Sequence, residues 1–160
     1  MKFSVLLLTV FSLILTLSAE VKIYKGNSTY TSDCIATYYR GRLYKGNSTY
    51  TSDCIFTFEN GKIYRGNSTY SSDCVATYER GKLFKGNSTY TSDCIATCEY
   101  GKIYKGNSTY TSDCVATYKN NRIYKGNSTY TSDCVMTTSD YLHPALAAWL
   151  YYYYFRGAFF

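Results

Sequence analysis

From Lys22 onward the chain repeats one pattern of apolar and polar positions every 20 residues, without insertion. The first unit, Lys22–Gly41, reads KIYKGNSTYTSDCIATYYRG, and later units start at Arg42, Lys62, Lys82, Lys102 and Arg122. The second residue of each unit is Ile or Leu (Ile23, Leu43, Ile63, Leu83, Ile103, Ile123), and the residue after Cys is Ile or Val (Ile35, Ile55, Val75, Ile95, Val115, Val135). These are expected core positions in short β-forming runs. The residues before each unit boundary vary: Tyr39-Arg40, Glu59-Asn60, Glu79-Arg80, Glu99-Tyr100 and Lys119-Asn120. Free variation there predicts a solvated turn.

The turn chemistry fits that reading. Asn60-Gly61 between two β-rich runs is a strong signal for a two-residue hairpin, because a type I′ turn needs positive φ at both central residues. Arg40-Gly41, Arg80-Gly81, Tyr100-Gly101 and Asn120-Asn121 occupy the same place. If the dipeptide is the loop, Glu59 faces Lys62, Phe58 faces Ile63, Thr57 faces Tyr64 and Phe56 faces Arg65. Opposed charges then recur at Glu79–Lys82 and Glu99–Lys102, each worth about 0.2–1 kcal/mol. Lys119 opposite Arg122 breaks the pattern and predicts the least stable turn. GNSTYTSD is the connection between hairpins, and its Gly, Asn, Ser and Asp suit turns and local side-chain hydrogen bonds.

A single 20-residue hairpin cannot bury an apolar face alone. Six copies can stack into an open β-solenoid or close into a ring. A stack needs atypical capping units, yet the first and last units match the middle ones. Closure removes the exposed edges, so the expected fold is all-β: six hairpins closed into a pseudo-six-fold ring, followed by a short C-terminal helix. Units with a G-K-[IL]-Y start and a Y-[KR]-G-N-S segment, as at Gly61–Tyr64 and Tyr64–Ser68, resemble those of the bacterial β-flower proteins. The resemblance covers Lys22 to about Thr138. It implies hairpins set like petals around a shallow barrel, and it carries over no catalytic residue.

Composition strengthens the β assignment. The chain holds 21 Tyr and one Pro, and Tyr, Thr, Ile and Val favour a pleated, half-buried surface. Ahead of the units, Lys2, the apolar run Val5–Leu17 and the small pair Ser18-Ala19 have the layout of a signal peptide over residues 1–19. Export is therefore expected, to the outside, the periplasm or the cell envelope. The formal net charge of +6 is spread along the units. Nucleic-acid binders usually gather Lys and Arg on one face or in a run, so no nucleic-acid partner is expected.

Candidate chemistry is sparse. Six of the seven Cys occur once per unit (Cys34, Cys54, Cys74, Cys94, Cys114, Cys134), and Cys98 is the odd one. Equivalent Cys in successive hairpins stand two strands apart, about 9–10 Å, beyond the ~7 Å Cα reach of a disulfide. They are expected as free, small, buried apolar residues. With one His and no C-x-x-C, neither metal nor cofactor is expected. A hydroxyl nucleophile needs a base beside it, and His143 lies outside the repeats, so no catalytic residue is expected. Asn27, Asn47, Asn67, Asn87, Asn107 and Asn127 each begin an Asn-Ser-Thr glycosylation pattern. Their place after Gly reads more simply as turn chemistry.

The remaining candidates are aromatic. Tyr30, Tyr50, Tyr70, Tyr90, Tyr110 and Tyr130 repeat in the connecting segments, and Trp149 sits in the tail 142–160. Ser139 or Asp140 is the expected helix cap, with Pro144 in the first turn. The tail is apolar around its whole circumference, which predicts burial against the ring; peripheral membrane contact and a partner-binding segment are the other readings. For the whole chain, the expectation is an exported, non-enzymatic structural or interaction protein of the cell envelope. The alternatives are a sugar- or lipid-binding protein using the Tyr set, and a solenoid adhesin or ice-binding surface.

Overall fold

A computed structural model describes residues 19–156. The signal peptide expected over residues 1–19 therefore lies, but for Ala19, outside the described residues, as does the end of the tail from Gly157. Twelve strands alternate short and long: β1 (Val21–Lys25), β2 (Cys34–Tyr39), β3 (Arg42–Lys45), β4 (Cys54–Glu59), β5 (Lys62–Arg65), β6 (Cys74–Glu79), β7 (Lys82–Lys85), β8 (Cys94–Glu99), β9 (Lys102–Lys105), β10 (Cys114–Lys119), β11 (Arg122–Lys125) and β12 (Cys134–Thr138). Each pairs antiparallel with its sequence neighbour, and β12 pairs with β1 to close a barrel. In that closing pair Ile23 opposes Thr138, Tyr24 opposes Thr137 and Lys25 opposes Met136. Closure excludes the open solenoid, because no sheet edge is left to extend.

The hairpin register agrees with the two-residue turns. Phe56 opposes Arg65, Thr57 Tyr64, Phe58 Ile63 and Glu59 Lys62. Asn60 and Gly61 have φ of 50° and 74°, the positive pair a type I′ turn requires. At the equivalent Gly101, an added Cβ would stand 2.7 Å from the Tyr118 carbonyl oxygen, so glycine is needed there for space as well as for φ.

The opposed charges do not behave as expected. Lys62 Nζ donates to Asn87 Oδ1 at 2.6 Å, and Arg122 Nε to Asn27 Oδ1 at 2.8 Å. Lys22 reaches Asn47, Arg42 reaches Asn67 and Lys102 reaches Asn127 in the same way. The basic residue that starts a unit thus holds the Asn of the following connection. A long, flexible cation on the outer face can reach that amide oxygen and still keep water around its charge.

Each long strand begins with a bulge. Ile23 opposes Ala36 but Tyr24 opposes Cys34, leaving Ile35 as the extra residue. The bulge resets the inside-outside alternation, so Ile35, Ala36 and Tyr38 all join the interior cluster. Cys34 turns outward beside Thr37, with 4.0 Å between Sγ and Oγ1. This corrects the expected ring of buried apolar thiols: Cys134 is buried, and the other six Cys are half-buried. The per-unit thiols lean on backbone oxygens instead, as Cys34 does on the Ala36 carbonyl at 3.4 Å. All seven are free.

The barrel is not hollow. After β12 the chain turns over the hairpin-tip end and forms helix α1 (Pro144–Tyr151), followed by a π-helical turn, Tyr152–Arg156. His143, not Ser139 or Asp140, caps α1: its Nδ1 accepts from the Ala145 N–H at 3.2 Å, and Pro144 takes the first turn. Ala145 through Tyr151 are all buried. The Pro144 carbonyl faces Cys98 near the hairpin tips, and the Trp149 ring stands edge-on to Phe56 at 5.2 Å. Tyr152 and Tyr154 donate to the bulge carbonyls of Ile95 and Ile35 at 3.2 and 3.3 Å. The segment therefore threads the barrel from the tip end to the bulge end, and its eight helical residues span about 12 Å.

Candidate interaction surface

The GNSTYTSD connections fold as six copies of one loop on the outside of the barrel. In the first, Ser28 Oγ donates to Asp33 Oδ2 at 2.5 Å and accepts from the Tyr30 N–H at 3.1 Å. The Asp33 N–H donates to the Tyr30 carbonyl at 2.9 Å, closing a short 3-10 turn, Thr31–Asp33. Thr37 Oγ1, from the strand that follows, donates to the Gly46 carbonyl at 2.8 Å and ties down the start of the next loop. Asp33 thus serves the turn, as its type and place suggest. Together with the Lys/Arg-to-Asn bonds at Asn27, Asn47, Asn67, Asn87 and Asn127, these contacts hold five of the six loops at both ends.

The side chain these bonds leave outside is tyrosine. Tyr30, Tyr50, Tyr70, Tyr90, Tyr110 and Tyr130 are 75–77% exposed, the same to within two percentage points. Lys25, Lys45, Arg65, Lys85, Lys105 and Lys125, which end the short strands, are exposed as well. The six loops and the strand ends before them therefore present six phenol rings and six cations from one closed frame, while Tyr100 at a hairpin tip and Tyr141 ahead of α1 are exposed outside that set. Trp149, grouped with these Tyr from the sequence, is 1% exposed and lies inside the barrel. Its indole packs against this chain, so it belongs to the plug and not to the surface.

The plug also accounts for wall residues that the repeat pattern alone did not explain. Units place Ala at 36, 76, 96 and 116, but Phe56 and Met136 stand at the equivalent positions. Phe56 meets both Trp149 and Tyr153, at 5.2 and 5.0 Å. Phe58 and Tyr78 each lie 5.2 Å from the His143 ring. Tyr118 accepts the Leu142 N–H at 2.7 Å. The departures at 56, 58 and 98 thus fall where an asymmetric helix meets a six-fold wall. The signal was visible as breaks in the repeat at interior positions.

No cluster of three or more His, Cys, Asp or Glu able to hold a metal occurs among the described residues, and no described helix is long and apolar enough to cross a membrane. The titratable groups of the interior are shifted by burial. Desolvation pushes Tyr152, Tyr154 and Cys98 up to about 12. It lowers His143, which keeps the Nδ1 lone pair free to cap α1. A phenol or thiol whose folded pKa is raised contributes stability that is full below the unfolded value, about 10 for Tyr and 8.5 for Cys. That contribution is lost as pH rises through the folded value. The melting temperature is therefore expected to hold from neutral pH to about pH 9 and then to fall steeply towards pH 12, with tyrosinate absorbance of the plug appearing only as the fold is lost. A melting temperature that stays level to pH 12 would contradict burial of these phenols.

No curated protein and no solved structure matches the chain. Residues 9–149 match the family model described as the 6-fold beta flower protein, in keeping with a closed barrel of six hairpin units, and the chain belongs to that family.

Proposed function

We propose that this protein is exported and acts at the cell envelope or outside the cell as a non-enzymatic interaction scaffold, using its six loop tyrosines as a multivalent surface. The observation that carries this reading is the near-identical exposure of Tyr30 and its five equivalents on loops pinned by their own hydrogen bonds. A loop already ordered in the free protein loses little backbone entropy when a ligand covers its ring. Six such rings on one frame convert weak single contacts into avidity, a gain of about 10²–10⁴ without a new contact. Exposed phenol faces and cations on one frame suit saccharides or lipid headgroups, which are the ligand classes proposed. The leader-like segment ahead of Glu20 supports export.

The test is a panel of polysaccharides and of neutral and anionic lipid vesicles, probed with the protein and with a variant carrying Tyr→Ala at all six loop positions. Retention by at least one polysaccharide or vesicle is expected, and its loss in the variant, with far-UV circular dichroism unchanged. Variants with three of the six rings removed are expected to lose far more than half of the affinity. Equal retention of the protein and the six-fold variant, or no retention at all, would defeat the proposal. The vesicle arm also decides whether the tail 142–160 contacts lipid, since that contact requires α1 to leave the barrel and Trp149 emission to change.

A further inference from the structure

At the tip end of the barrel the interior wall carries one ring per unit at Tyr38, Phe58, Tyr78 and Tyr118, and Cys98 stands at the equivalent position in its unit. Thr138, the other exception, lies where the chain leaves the barrel; it is buried, and its hydroxyl donates to the Asn121 carbonyl at 3.2 Å. No such substitute fills the space beside Cys98. A cavity of about 80 Å³ lies there, lined by Cys98, Ile103, Tyr118, Pro144 and Ala147, with the hairpin tip 99–102 at its mouth.

We propose that this cavity is a binding site for a small monocyclic phenol, whose ring takes the place that a Tyr or Phe side chain holds in four of the other units. Its apolar walls are the Tyr118 ring, the core residue Ile103 and, from the start of the plug helix, Pro144 and Ala147. An unfilled apolar space forfeits dispersion contacts on its lining, and a dry cavity of about 150 Å³ admits a whole benzene ring. The space here is about half of that and open at its mouth, so it takes one edge of the ring while the rest stays at the opening. The hydroxyl then stays in the mouth, where Glu99 and Lys102 line the opening and water remains to hydrogen-bond it. The half-buried Cys98 thiol, pushed up to about 12 by desolvation, stays neutral and puts no charge against the ring.

The probe is phenol itself, with cyclohexanol as a control of similar size but without a flat ring. Thermal unfolding and ligand-observed NMR are run on the full chain, on Cys98→Tyr and on Ala147→Leu. Cys98→Tyr restores the ring from the wall, and Ala147→Leu narrows the same space from the helix. The expected result is a phenol-dependent rise in the melting temperature and saturation transfer to phenol in the unmodified protein, weaker with cyclohexanol and absent in both variants. If one variant fails to fold, the other decides. No rise with phenol, or an equal rise in a folded variant, overturns the assignment. Because the test reads an interior site, it stands or falls independently of the loop tyrosines.

Discussion

Truncation after Asp140 is expected to abolish cooperative folding of this protein. The removed segment buries Leu142, Leu146, Trp149, Leu150, Tyr151 and Tyr152 inside the barrel. Each fully buried large apolar side chain contributes about 1.5–3 kcal/mol by area, as an upper figure. Together they rival the ~5–15 kcal/mol that separates a folded domain from its unfolded state. The loss is worse than the missing area alone, because Ile23, Leu43, Ile63 and Leu83, all fully or almost fully buried, would then line an empty bore. A single change, Trp149→Ala, is expected to cost about 3–5 kcal/mol, since it also strips Phe56 of one of its two edge-on partners. Urea unfolding followed by circular dichroism measures both. A truncated chain that melts cooperatively near the temperature of the full chain would refute the plug, as would Trp149 emission that is solvent-like in buffer.

Deleting one complete unit, Lys62–Gly81, should be nearly as damaging. The deletion joins Gly61 to Lys82 and leaves every remaining hairpin chemically intact. In a linear array such a change removes only one intrinsic term and one interface. In a closed barrel the diameter follows the strand number, so ten strands enclose a narrower bore than twelve. Helix α1 and the Trp149 ring then no longer fit, and the Tyr78 ring that flanks His143 is gone. The expected product is either an unfolded chain or a five-petal ring with its helix expelled, and in both Trp149 emission moves to that of a solvated indole. Cooperative melting with Trp149 still buried would show that the wall adapts to the plug, against this account.

Much of the wall was legible in the sequence because its determinants are local. Positive φ at the second turn position needs Gly or Asn, and that requirement sets the hairpin tip and hence the pairing of Phe58 with Ile63. The exact 20-residue repeat without capping units then favoured closure. The loop tyrosines were legible as a repeated set, but not their exposure, which depends on how Ser28 and Asp33 fold the connection back on itself.

Other features were hidden because they depend on contacts distant in sequence. A period of two along β2 does not reveal the bulge at Ile35, which turns Cys34 outward and makes it a half-buried thiol on the outer face. Glu59 and Lys62 were rightly placed opposite each other, yet Lys62 spends its hydrogen bond on Asn87, a residue 25 positions away. Cys98 read as a leftover thiol, and only the fold places it against Pro144 and the cavity.

The sequence by itself determined the six-unit all-β architecture, its turns and the register within each hairpin, since each follows from backbone sterics and side-chain type around the turn. The tertiary structure decided where the tail goes. A helix apolar all round must be buried, but its own residues do not name the surface that covers it. Closing twelve strands creates a bore of one width, small Ala residues at 36, 76, 96 and 116 leave room within it, and that room takes Trp149 away from the surface and into the core.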